Sequence, residues 1–297
     1  MNESKNQIDT TAPDISRRKF LKLALLSGFG TLIGSYPVFI ERYAFQVNTY
    51  RIPVPNLPPK FHHFRIVQLT DLHYGFLMPL LAVEYIIDTI NGLDKDVVVC
   101  TGDYIHERNG TAQIDAVWPR LMKLRARYGV YSILGNHDHW GNTDRSLYWL
   151  KRSGQDLRHQ AKPVVRGGER IWLGGAGDYW EDELGIDKAF RGVPPNECKI
   201  LLAHNPDSAD TRFNSRVDLM ISGHTHGGQV VLPWLGAPVL PVQNPNYSSG
   251  FIRTAGTNIY ISRGLGWSIL PIRFNCFPEI SVLELVRQGA AERLTAR

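Results

Sequence analysis

Residues 64–73 read Phe64-Arg65-Ile66-Val67-Gln68-Leu69-Thr70-Asp71-Leu72-His73, an apolar, strand-like run that ends in an acid and an imidazole. The arrangement recurs down the chain. Gly102-Asp103 follows Val97-Val98-Val99, Gly135-Asn136-His137-Asp138 follows Tyr131-Ser132-Ile133-Leu134, Ala203-His204-Asn205 closes Ile200-Leu201-Leu202, and Gly223-His224-Thr225-His226 follows residues 217–221. Polar residues that trail one strand after another emerge together where the strands end, which is where open α/β sheets carry their chemistry.

The segments between these motifs predict the architecture. Strands at Phe64–Thr70, Asp96–Thr101 and Val130–Leu134 alternate with helices at about Pro79–Asn91, Thr111–Tyr128 and Thr143–Lys151, a βαβ rhythm. Beyond residue 160 the character turns to β. Strands are predicted at Pro163–Arg166, Ile171–Ala176, Lys199–Ala203, Val217–Ile221, Gln229–Leu232, Asn258–Ser262 and Glu279–Leu285, with one more helix within 178–191. The expected fold is α/β: two packed sheets flanked by helices, in one domain covering 64–297, whose loops meet at a shared edge.

Composition narrows the partners. Of the formal net charge of +5, residues 1–42 hold six Lys/Arg against four acids, which leaves +3 for the remaining 255 residues. So small a balance, with no basic block beyond the N-terminus, argues against nucleic acid as a partner. The three cysteines form no C-x-x-C pair and read as core thiols, not ligands.

The N-terminal 1–42 carries Ser16-Arg17-Arg18-Lys19-Phe20-Leu21-Lys22 ahead of an uncharged stretch from Leu23 to Ile40, which resembles a twin-arginine translocation signal. The resemblance implies the twin-arginine machinery as a partner and the extracytoplasmic face of a bacterial membrane as the location. The protein would be either anchored there by a marginal span or released after cleavage. Residues 43–63, with Pro53, Pro55, Pro58 and Pro59, read as a linker and a strand leading into the domain.

The motifs also carry chemistry as they stand. Asp71 and His73 would share a face if the strand ran through both, and could grip one ion. Asp103, at a strand end, could bridge two cations with its two oxygens. Asn136 offers an amide oxygen to a hard metal, while His137 could reach the substrate instead. His204, His224 and His226 add imidazoles, the last two flanked by glycines that let the backbone approach a ligand closely. A set of imidazole, carboxylate and amide donors without thiolate suits Mn²⁺, Fe²⁺ or Zn²⁺. His62, His63, His106, His139 and His159 lack this joint support and default to surface positions, although His106 and His139 lie close enough to line a pocket.

Taken together, residues from about 64 to 285 resemble the calcineurin-like metallophosphoesterase superfamily, whose fold is a four-layer α-β-β-α sandwich. The N-terminal signal and Ser262-Arg263-Gly264-Leu265-Gly266 with Pro271, Arg273 and Pro278-Glu279-Ile280 resemble its membrane-associated bacterial phosphodiesterase branch. The resemblance implies that Asp71, His73 and His226 hold a first metal, that Asn136, His204 and His224 hold a second, and that Asp103 bridges them. His137 takes the position of the catalytic histidine. Many members place an Asp three residues after the bridging Asp to orient that histidine. Here the position is His106, so Asp138 or a residue from a distant loop would have to serve.

The expected activity is dinuclear, metal-dependent phosphoester hydrolysis by in-line attack of a hydroxide held between the ions, with a lipid-linked or nucleotide-linked phosphodiester as substrate. A phosphomonoesterase and a non-catalytic phosphate-binding protein are the alternatives. The apolar segments 232–251 and 266–270 would seat an acyl chain or meet a bilayer if they flank the site, and would otherwise pack on the core. Arg253, Arg263 and Arg273 are candidate phosphate contacts.

Overall fold

In the computed structural model, which describes residues 16–254 and 256–288, two mixed sheets pack face to face. The first contains β1 (Gln46–Val54), β2 (Phe64–Leu69), β3 (Val97–Cys100), β4 (Val130–Ser132) and β11 (Glu279–Arg287) in the order β1-β11-β2-β3-β4. The second contains β5 (Ala161–Arg166), β6 (Glu169–Gly175), β7 (Lys199–Leu202), β8 (Leu219–Ser222), β9 (Gly250–Ile252) and β10 (Asn258–Ile261) in the order β5-β6-β7-β8-β10-β9. The parallel core β2-β3-β4 is joined antiparallel by β11, which pairs in parallel with β1, and the parallel core β6-β7-β8-β10 is flanked by antiparallel β5 and β9.

Alternation along the strands makes the layers. Ile66, Val97 and Val99 face Ile200, Leu202, Leu219 and Ile221 of the second sheet in one buried cluster. Their neighbours Val67, Leu69, Val98 and Cys100 turn outward onto α2 (Leu80–Gly92) and α3 (Thr111–Leu121), through Val83, Ile87, Ile114 and Trp118. Leu201, Met220, Ile259 and Ile261 face the other way and are covered by Ile186 of the one-turn α5 (Ile186–Ala189), Phe190 and Tyr247. The outer layer on that side is therefore thin. Between the sheets, Gln68 Nε2 donates to the Ser222 carbonyl at 2.9 Å and to Thr101 Oγ1 at 2.8 Å, which ties the two strand ends together.

Several elements differ from the sequence expectation, each for a local reason. α3 stops at Leu121 because Pro119 removes a backbone donor and the chain tightens into three-residue turns, Lys123 N to Arg120 O and Leu124 N to Leu121 O. Helix α4 (Asn136–Arg152) begins seven residues before the expected Thr143, with a kink at Asn142. Of the helix expected within 178–191 only α5 forms, after Gly185 at φ 59°. Residues 229–232 make isolated bridges instead of a strand, since Gln229 sits at φ 58° and Pro233 follows. The short edge strand β9 was not foreseen. The basic segment Arg17, Arg18, Lys19 and Lys22 lies on α1 (Arg17–Phe39), capped by Ser16, and among the described residues no helix is long and apolar enough to cross a membrane.

Candidate metal centre

The C-terminal ends of the parallel strands deliver all five motifs to one edge. β2 leads to Asp71, β3 to Asp103, β4 to Asn136 and His137 at the start of α4, β7 to His204, and β8 to His224 and His226. All seven predicted ligand residues are buried. Close approach explains the glycines: a Cβ at Gly135 would collide with Asp103 Oδ1 and His204, and one at Gly223 with Asp71 Oδ2 and Thr70.

Asp71, His73 and His226 bring one donor atom each within 4.8 Å of one another, and Asp103, His204 and His224 do the same. Asp103 joins the two groups, with Oδ2 lying 3.5 Å from His73 Nε2 and 3.2 Å from His204 Nε2. The expectation that Asp71 and His73 share a strand face is corrected, because β2 ends at Leu69 and both residues have left-handed backbone (φ 53° and 48°). Asp103, His224 and His226 are left-handed too, at φ 55°, 70° and 52°. A non-glycine residue held there stores about 1–3 kcal/mol.

Backbone carbonyls fix the tautomers. Thr101 O can only accept, so His204 donates to it from Nδ1 at 2.8 Å and turns Nε2 inward. Likewise His224 donates from Nε2 to Pro241 O at 2.9 Å, which leaves Nδ1 facing His204 Nε2 at 3.2 Å. His73 Nε2 and His226 Nε2 lie 2.9 Å apart, and Asn136 Oδ1 is buried with no hydrogen-bond partner among the described residues. Acceptor nitrogens that face each other, as those of His204 and His224 do, require a cation between them, a proton or a metal, so the residues present fit a divalent-metal site.

Electrostatics agree. Burial drives His73 and His226 well below the ordinary histidine value, aided by His137 and by Arg273 respectively, and lowers His224 to about 3 with help from His204. Burial opposes a charge on His204 as well, but Asp103, Asp71 and Asp178 outweigh it and raise that imidazole to about 10. Asp71 is lifted to about 6 by burial and by Asp103, against the pull of His204.

The partner of His137 is a backbone carbonyl and not Asp138. Its Nδ1 donates to the backbone carbonyl of His106 at 2.9 Å, leaving Nε2 as the free ring nitrogen. Asp138 instead accepts from the backbone N–H groups of Asp103, Tyr104 and Gly135 at 2.8–2.9 Å, and so braces two of the motif loops. The His106 side chain stacks on Phe76 and lines the cavity, whereas His139 is buried and outside the lining.

Above the cluster opens a cavity of about 1040 Å³, lined by His137, His224 and His226 together with Val230, Pro238, Val239, Ile269, Leu270 and Ile272. Trp140 and Trp180 also line it, their rings 4.6 Å from His137 and His224 respectively. Trp140 follows His137 by three residues on α4, a helical spacing legible in the sequence and overlooked there. The three arginines considered for phosphate are absent from the lining. Arg263 is paired with Glu279 at 2.8 Å, Arg253 lies elsewhere, and Arg273 is wholly buried, donating to the carbonyls of His226, Arg263 and Gly266. Arg108, resting on the Trp140 ring at 4.5 Å, does line the cavity.

Comparison with known proteins places this geometry in context. The calcineurin-like phosphoesterase family matches residues 64–228, the span that contains every motif of the cluster. An uncharacterized metallophosphoesterase of Bacillus subtilis, YkuE, is 34% identical, covering 91% of this chain and 98% of its own. The phosphodiesterase YaeI of Escherichia coli is 32% identical over 92% of this chain and all of its own. A UDP-2,3-diacylglucosamine pyrophosphatase of Chlamydia trachomatis, LpxG, is 27% identical over 77% and 86% respectively. With the strand-end histidines and carboxylates gathered on one edge of a two-sheet sandwich, and relatives that span nearly its whole length, the chain belongs to the calcineurin-like phosphoesterase family.

Proposed function

We propose that the protein is a dinuclear metal-dependent phosphodiesterase acting on a lipid-linked or nucleotide-linked phosphoester. The observation that carries this reading is the meeting of two things in one cavity: a floor of converging ligand atoms and a wall of aliphatic side chains. A relative named for a diacylglucosamine pyrophosphate supports it, since such a molecule joins an acylated group to a nucleotide through phosphates.

In this reading Asp71, His73 and His226 would hold one ion and Asn136, His204 and His224 the other, with Asp103 available to both. When bound, Mn²⁺, Fe²⁺ or Zn²⁺ would supply Lewis acidity toward the phosphoryl oxygens and a nucleophile at neutral pH. The chain's own residues do the rest. His137 presents Nε2 to the leaving oxygen and protonates it, its ring oriented by the His106 carbonyl. Arg108, stiffened by Trp140, offers a guanidinium to a second phosphate. Val239, Leu270 and Ile272 shield the acyl end from water. Export by the twin-arginine route, suggested by residues 16–22, belongs to the same reading.

The test uses the full chain purified with Mn²⁺. About two metals per chain and turnover of an aryl phosphodiester above the matching monoester, both measured against His137→Ala, are expected. Full metal occupancy with neither ester hydrolysed overturns the enzymatic reading, and preference for the monoester overturns the diesterase assignment.

A further inference from the structure

The cavity mouth carries apolar side chains that nothing among the described residues covers. Trp234 is fully exposed, Ile269 is 84% and Leu235 81% exposed, and Val239 and Leu270 stand beside them. They sit on two loops that are knitted together: Gln229 exchanges side-chain hydrogen bonds with the backbone of Ser268, and Phe274 exchanges backbone bonds with Gln229 and Val231. The same loops hold the end of α1. Arg273 N donates to Pro37 O at 3.1 Å, Arg42 Nη1 to Pro271 O at 2.8 Å, and Cys276 N to the buried Glu41 carboxylate at 2.7 Å. Where α1 leaves this anchorage, Phe39 and Ile40 are exposed, and so are Leu25 and Leu26 farther along it.

Charge identifies what covers this surface. The first turns of α1 present Arg17, Arg18, Lys19 and Lys22, all exposed, and no acid occurs between residues 16 and 40. An apolar rim with a fully exposed indole, continuous with a helix that is greasy along its length and basic at its start, complements an anionic phospholipid bilayer. The tryptophan suits the headgroup level and the cations suit the phosphates. We propose that the cavity mouth docks on an anionic membrane surface through Trp234, Leu235 and Ile269 together with α1, so that the cavity opens toward lipid. Docking is a property of the surface, independent of the hydrolytic reading.

The full chain is mixed with vesicles of phosphatidylglycerol and phosphatidylcholine, some carrying brominated acyl chains, and followed by flotation and tryptophan emission. Flotation that falls severalfold on vesicles of phosphatidylcholine alone, and quenching by the brominated lipid that drops in Trp234→Phe, are expected. The variant Trp234→Ser/Leu235→Ser, altered outside the cavity lining, floats less yet hydrolyses a soluble aryl diester at the wild-type rate. Absence of flotation overturns the proposal, as does self-association of the protein in its place. Quenching identical in Trp234→Phe and wild type shows that α1 binds alone, and equal flotation on neutral vesicles removes the charge argument; either result overturns the docking of the mouth. Loss of diester turnover with flotation intact counts instead against the hydrolytic reading.

Discussion

The floor and the rim of the cavity are built on opposite principles. The floor draws its side chains from the ends of five parallel strands in two sheets, all but His137 buried and several held in left-handed backbone, with one ring nitrogen each of His204, His224 and His137 committed to a carbonyl. The rim is made of two irregular loops whose apolar side chains face solvent and make few commitments. Strained and polar below, exposed and apolar above, the arrangement would, in the proposed reading, separate the chemistry from the choice of substrate.

The sharpest way to break the comparison is to empty the floor. Asp103→Ala removes the residue that touches both clusters, and metal content by mass spectrometry should fall from the expected two ions toward none, with activity lost alongside the metal. Metal retained at full stoichiometry would show that Asp103 is not the bridge. His137→Ala should keep its metals and lose about 10²–10⁴-fold in kcat, the usual contribution of a general acid. A KM change with kcat untouched would move His137 from catalysis to binding.

Loading the metal-free protein should also expel a proton. His204 is raised to about 10, above an ambient pH of roughly 7.5, so it is charged before metal arrives and must surrender its Nε2 proton to ligate. About one proton per chain, titrated in weak buffer and absent in His204→Ala, is the expected release. At the rim, Leu270→Ser should raise KM for an acylated substrate by roughly tenfold while leaving kcat within about twofold, because one aliphatic contact is lost. An equal fall in kcat would mean that rim and floor are not separable.

How far the sequence foretold this molecule follows the same division. Short strands such as Val97–Cys100 and Lys199–Leu202 announce themselves by apolar content, and the motif behind each one inherits its place from the strand end. Which residues gather at the strand ends was therefore legible residue by residue. What escaped depends on the path of the backbone. No side-chain pattern reveals that the His106 carbonyl orients His137, that Arg273 is sealed among carbonyls, or that the segment from 229 to 240 folds as a loop over the site. The early start of α4 at Asn136 escaped for a related reason: His137 and Asp138 read as motif, and their role as a helical first turn was hidden behind it.

The left-handed backbone at Asp71, His73, Asp103, His224 and His226 leads to a final, smaller test and to a broader consequence. In metal-free protein, Asp71→Gly should melt a few degrees above Asp71→Ala, a difference of about 1 kcal/mol, because glycine alone is at ease at φ 53°; equal melting temperatures would mean that the strain is relieved elsewhere. Extended to all five positions, the ranking of substitutions by thermal stability should oppose their ranking by turnover, with glycine near the top of one scale and the bottom of the other. A fitness map of the chain scored twice, once for abundance and once for activity, would then outline the candidate metal floor as the patch where the two scores disagree most.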